Sequence, residues 1–201
     1  MKRAAGWFVA AVAAVPMTVL AHECAHLAAA AACGLQGIEL HYASMTYSLE
    51  QPFWSAYREN GLDSAAGIVA PWKVAVAAAG GLVATYAIVA AGMIAVTRAA
   101  RPLPVAATVA ANSRSVPVVL SLAATWGQDI VRSTDEAQLA ATTGVPESLL
   151  VLLGLTSLIA SAWWVFACVP RRERTMSALS TIAGVAAGVV VYVLGGSLLL
   201  P

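Results

Sequence analysis

His22-Glu23-Cys24-Ala25-His26 lies within an apolar run from about 4 to 35 and holds two of the chain's three histidines. In an α-helix, residues four apart stand on one face, one turn along, so both imidazoles can reach a single metal ion with Glu23 beside it. Those residue types at that spacing suit zinc hydrolysis: two neutral imidazole ligands, and a glutamate that takes a proton from the water the metal activates. A Glu and two His inside a bilayer-spanning helix are costly unless they face protein, water or metal, so their clustering is a functional-site signal.

Upstream of this stretch, Met1-Lys2-Arg3 followed by an apolar segment ending Val19-Leu20-Ala21 has the form of a signal peptide cleaved before His22. The apolar run continues through Leu27 to Ala32, however. That length exceeds a usual signal core and is enough to span a bilayer, which favours an uncleaved first transmembrane helix.

The rest of the chain agrees. It has 201 residues, of which 60% are hydrophobic and 10% charged, with a mean hydropathy of +0.80. Such a composition excludes an ordinary soluble domain and indicates an integral membrane protein in contact with the lipid bilayer. A net charge of +1 gives no electrostatic ground for a nucleic-acid partner. Cys24 and Cys33 would lie roughly 13 Å apart along one helix axis, too far to bridge. With Cys168 they read as small buried hydrophobes.

Apolar runs near 5–34, 68–97, 103–127, 148–169 and 176–200 each reach the length of a spanning helix. The expected fold is an all-α integral membrane bundle of about five transmembrane helices, forming one membrane-embedded domain over 1–201. Lys2, Arg3, Arg98, Arg101, Arg171, Arg172 and Arg174 crowd one set of connections, while the other set is mainly acidic, with Glu39, Glu50, Glu59 and Asp63 against Arg58 and Asp129, Asp135, Glu136 and Glu147 against Arg132. The positive-inside rule then puts the N-terminus in the cytoplasm and the C-terminus outside, and the expected location is a bacterial cytoplasmic membrane. Trp7 and Phe8 are expected at the inner interface, and Phe53, Trp54, Trp72 and Trp126 at or near the outer one, with Lys73 snorkelling from the outer end of the second span.

Within the long connection after the first span, 37–49 (GIELHYASMTYSL) permits a short strand or hairpin. Beside a metal, its edge could hold an extended peptide by backbone pairing; otherwise it is an ordinary surface loop. AAAGG at 77–81 and the glycines at 184 and 188 are small-residue stripes that let helices approach closely. Asn112, Ser113, Arg114 and Pro117 fall within the third apolar run, so that span is either broken or faces a polar interior. Arg114 there pairs with a buried carboxylate, supports an oxyanion together with Asn112, or is structural.

A catalytic zinc usually takes three protein ligands and keeps a place for water. His22 and His26 supply two. A compact HExxHxxGxxH site would need Gly and His where Ala29 and Ala32 stand, which excludes that class. His41, Glu39 and Glu50 are available from the following loop. His22 sits roughly 25 Å from the inner end of its helix, toward the outer leaflet. The connection after the third span returns to that side carrying Asp129, Asp135 and Glu136. Ser133 and Glu136 have capping-box spacing, so this acidic pair also suits the start of a short helix ending near Gly144-Val145-Pro146. Asp135 and Asp129 both stand as third-ligand candidates.

These features together resemble the site-2 protease type of intramembrane zinc metallopeptidase, in particular its small relatives without accessory domains. The resemblance rests on HECAH at 22–26, on AAAGG at 77–81 and on STDEAQLAATTGVP at 133–146. It implies zinc held by His22, His26 and an aspartate matching Asp135, with Glu23 as the catalytic base. The implied reaction is hydrolysis of a peptide bond in a membrane-anchored or membrane-adjacent polypeptide. The competing expectation is a non-catalytic zinc-binding membrane scaffold with four protein ligands, and a metal transporter is a weaker third.

Overall fold

The computed structural model describes residues 2–41, 44–124 and 134–199. Five helical stretches are long and apolar enough to cross a membrane: Arg3–Ala32, Pro71–Arg98, Pro102–Leu120, Glu147–Cys168 and Arg171–Gly196. The all-α, multi-pass architecture expected from the apolar runs is therefore present.

Helix α1 (Lys2–Ala32) runs without a break through Pro16 and through the two histidines. After it, β1 (Glu39–His41) pairs antiparallel with β2 (Ser44–Thr46), Leu40 facing Met45. Gly37 precedes this ribbon at φ +61°, and a Cβ there would collide with the Ser48 hydroxyl. Two short helices, α2 (Glu50–Asn60) and α3 (Leu62–Ala66), lead into α4 (Pro71–Arg98), whose first residue is a proline that needs no N–H partner. The third span is divided into α5 (Pro102–Ser113) and α6 (Ser115–Ala124), with Arg114 at the junction. It is broken there and also faces a polar interior. Next come α7 (Asp135–Thr143), α8 (Glu147–Cys168) and α9 (Arg174–Leu199).

Helix α7 ends where the Gly-Val-Pro signal indicates: Gly144 adopts a left-handed conformation and donates its N–H to the Ala140 carbonyl at 2.9 Å. Its start differs from expectation. Ser133 lies outside the described residues, and the cap is Thr134, whose hydroxyl accepts the Ala137 N–H at 3.2 Å. Glu136 therefore occupies the second helical position, and it is buried at 5% exposure.

Helix α1 is the centre of the bundle. It runs antiparallel to α4 and parallel to α9, and the two small-residue stripes are what let those neighbours in. A Cβ on Gly80 would stand 2.7 Å from the Ala25 carbonyl oxygen, and one on Gly188 would stand 3.0 Å from that of Val12. Three apolar clusters fill the bundle. One joins Ala11, Ala14 and Val15 of α1 to Ala106, Ala110 and Val185. A second lies toward the start of α1 around Trp7, Val96, Val105 and Val165, and a third lies beyond its end around Phe53, Trp54, Tyr47 and Val74.

Those clusters correct the aromatic expectations. Trp7, Phe53 and Trp54 are buried in protein; only Phe8 and Trp72 of the described set are exposed. The connection after α1 folds back as α2 and α3 and supplies an apolar interior of its own. Trp126 lies outside the described residues. The cysteines also differ from expectation, Cys24 being exposed and Cys33 and Cys168 half-buried, because Cys24 points away from the face of α1 that carries the histidines.

The close approach of α1 and α9 gives a direct test. Gly184→Leu must push the two backbones apart, at a cost of about 1–3 kcal/mol, and should lower the thermal midpoint of the detergent-solubilised protein followed by circular dichroism.

Candidate metal centre

The α1–α4 contact sets the ring orientations of both histidines. His22 Nδ1 lies 2.7 Å from the Gly81 carbonyl oxygen and 3.0 Å from the Thr85 hydroxyl; His26 Nδ1 lies 2.7 Å from the Ala77 carbonyl oxygen. A carbonyl only accepts, so each Nδ1 carries the hydrogen and donates it. Each neutral ring then keeps a bare lone pair on Nε2. The two Nε2 atoms face each other at 2.9 Å. Asp135 completes the group, with Oδ2 3.0 Å from His22 Nε2 and Oδ1 3.2 Å from His26 Nε2.

Two nitrogen lone pairs and a carboxylate converging in a buried space repel one another unless a cation lies between them. The donor set therefore fits a metal. One ligand atom from each of His22, His26 and Asp135 lies within 4.8 Å of the others. Two nitrogens and one oxygen suit zinc. The hydrogen bonds from Nδ1 to backbone carbonyls are the usual support for metal-binding imidazoles.

Gly81 does more than allow packing. A Cβ at this position would overlap His26 Nε2 and His22 Cε1, in the space the ligand atoms surround. In sequence the AAAGG stripe reads only as a packing device. That its Ala77 and Gly81 carbonyls, four residues apart, match His22 and His26, also four apart on an antiparallel helix, requires knowing the register of the two helices.

Asp135 reaches the histidines because it opens α7. Its carboxyl is 17% exposed and is bonded by Arg114 Nη2 at 2.6 Å. Burial opposes its ionisation, and the Arg114 guanidinium bonded to Oδ2 favours the charged form. Burial pushes the Glu136 carboxyl up; Arg114 Nη2 is 3.7 Å from its Oε2, which has no hydrogen-bond partner among the described residues.

Glu23 is buried beside the ligands and borders two cavities. Arg114 pairs with buried carboxylates, the first of its expected alternatives. Asn112 lies elsewhere: its amide donates to Ser161 Oγ at 2.6 Å and accepts from Ser157 Oγ at 3.2 Å, clamping α5 to α8. It is thereby removed from any oxyanion role. His41 stays on β1, with Nε2 3.3 Å from Thr46 Oγ1 and 3.9 Å from Glu39. Glu50 borders the smaller cavity without joining the ligand group, and burial raises its carboxyl above the usual range. Asp129 lies outside the described residues.

The larger cavity, about 410 Å³, lies between α1, α4, α5 and α6 and has mainly apolar walls, including Val19, Ala110, Pro117 and Val118. The smaller, about 190 Å³, lies under β2 and is lined by Ser44, Thr46, Tyr47, Glu50 and Gln138. Both are bordered by Glu23 and Asp135, so the candidate site has an apolar side and a polar side.

No protein-family model, curated protein or solved structure matches the chain.

Gly81→Ala should abolish stoichiometric zinc in the purified protein, as His22→Ala should, because the added methyl fills the ligand space. Elemental analysis by mass spectrometry reads both. Zinc retained at wild-type stoichiometry in Gly81→Ala would place the ion elsewhere.

Proposed function

We propose that this chain is an intramembrane zinc metalloprotease that hydrolyses peptide bonds of membrane-anchored or membrane-adjacent polypeptides. The observation that carries the reading is the convergence of two imidazole lone pairs and the Asp135 carboxylate next to a buried glutamate, within a helix apolar enough to cross a membrane. The likeness of HECAH, AAAGG and the 133–146 segment to site-2 proteases supports the same activity.

His22, His26 and Asp135 would hold the zinc. When bound, zinc supplies Lewis acidity, acidifying water and polarising a carbonyl oxygen. Glu23 takes a proton from the attacking water and passes it to the leaving amine. Thr85, Gly81 and Ala77 keep the imidazoles in the tautomer with Nε2 unprotonated. The cavities on either side of Glu23 accommodate an extended chain, so a helical substrate has to unwind locally. β2 has no second strand partner among the described residues, and its residues line the smaller cavity, which suits backbone pairing with that chain.

Three ligand groups converge among the described residues, which leaves a coordination place for water and favours the enzyme over a four-ligand scaffold. In the proposed orientation the N-terminus is cytoplasmic, the site lies toward the outer leaflet, and the membrane is a bacterial cytoplasmic one.

Glu23→Gln separates catalysis from metal binding. The variant should keep its zinc while cleavage of co-expressed single-span membrane proteins, followed by mass spectrometry of isolated membranes, falls by about 10²–10⁴-fold. Cleavage at the wild-type rate would sink the protease assignment.

A further inference from the structure

We propose that Arg114 is a positioning residue of the metal centre, a guanidinium that fixes the Asp135 carboxylate facing His22 and His26. The proposal rests on the metal reading of the triad and is independent of proteolysis.

An arginine within a membrane span is expensive and persists where it has a partner. Here the partner is specific. Arg114 leaves the bundle wall at the junction of α5 and α6, and its Nη2 donates to Asp135 Oδ2 at 2.6 Å. The same nitrogen lies 3.7 Å from Glu136 Oε2. Nη1 comes within 3.4 Å of His22 Nδ1, but that nitrogen already donates to Gly81, so this is a contact between two donors rather than a bond. The hydrogen bond that matters is the one to Asp135.

That bond makes the two oxygens of Asp135 unequal. Oδ2 accepts from the Arg114 guanidinium and lies 3.0 Å from His22 Nε2, whereas Oδ1 lies 3.2 Å from His26 Nε2. The guanidinium thereby holds the carboxylate facing both histidines. Arginine suits the task better than lysine because its guanidinium is planar and rigid, so the direction of the donated hydrogen bond is fixed. Apart from the two histidines, the other described support for Asp135 is its place in the first turn of a nine-residue helix.

A purely structural ion pair between the third span and α7 would show the same contacts, so the test must read the metal. Full-length protein in detergent is titrated with zinc against a chromophoric chelator, and the visible absorption of its cobalt-substituted form is recorded. Arg114→Gln should raise the zinc dissociation constant by about 10–100-fold and shift the cobalt bands. Arg114→Lys should fall between this variant and wild type. Glu136→Gln leaves the guanidinium to Asp135 alone and should bind zinc as tightly as wild type or more so.

Wild-type affinity and spectrum in Arg114→Gln would overturn the proposal. So would equal weakening in Glu136→Gln and Arg114→Gln, since that would make Arg114 one member of an internal charge network. Should Arg114→Gln fail to fold, Arg114→Lys decides: unchanged affinity and spectrum count against positioning, and weakened binding with shifted cobalt bands counts for it. Wild-type protein that binds no zinc removes the metal reading itself, and this proposal with it.

Discussion

Two hydrogen bonds between neighbouring helices govern this molecule, those donated by His22 and His26 to the backbone carbonyls of Gly81 and Ala77. A helical carbonyl already accepts from the residue four further on, and its second lone pair is reachable only if the helix surface nearby is almost bare. The glycine and alanine stripe on α4 provides that bareness. Once the two bonds are made, the imidazoles have one tautomer, one orientation and lone pairs that meet. The packing of the bundle and the chemistry of the site are therefore consequences of the same close approach.

The charges around this point are arranged in sequence along α1, the α5–α6 junction and α7. Asp135 and Glu136 are adjacent in the chain but sit in opposite surroundings: one is tightly bonded, while the other is buried with an oxygen that has no hydrogen-bond partner among the described residues. Helix geometry explains the difference. Successive residues point about 100° apart, so a short helix docked between α4 and α8 can present only one of them to the histidines. The other is directed into the packing and depends on Arg114 for what compensation it has.

Much of this was legible before any coordinates. The five apolar runs gave span positions to within a few residues, since length and hydropathy alone determine which segments can cross a bilayer. His22 and His26 were legible through their spacing, and the Gly-Val-Pro end of α7 through its turn chemistry. Asp135 could not be separated from Asp129, because choosing between them depends on which turn of a loop enters the bundle. Trp7, Phe53 and Trp54 pack inside the protein: an aromatic residue near the end of a span can face lipid or fill a gap between helices, and only the neighbouring elements decide which. Asn112 and Arg114 are two positions apart in one polar interruption, yet one clamps α8 and the other faces the site. A break in the helix between them redirects the second.

The order of the elements along the chain also orders the assembly of the site. Helices α1 and α4 are the first two spans, so in a chain made from the N-terminus the imidazole pair and its carbonyl partners are complete before Asp135 has been synthesised. What forms early is the imidazole pair with Glu23 of the same helix beside it; Asp135 comes later, accompanied by Arg114 from the span just before it. The triad is therefore complete only when the third span and α7 have docked.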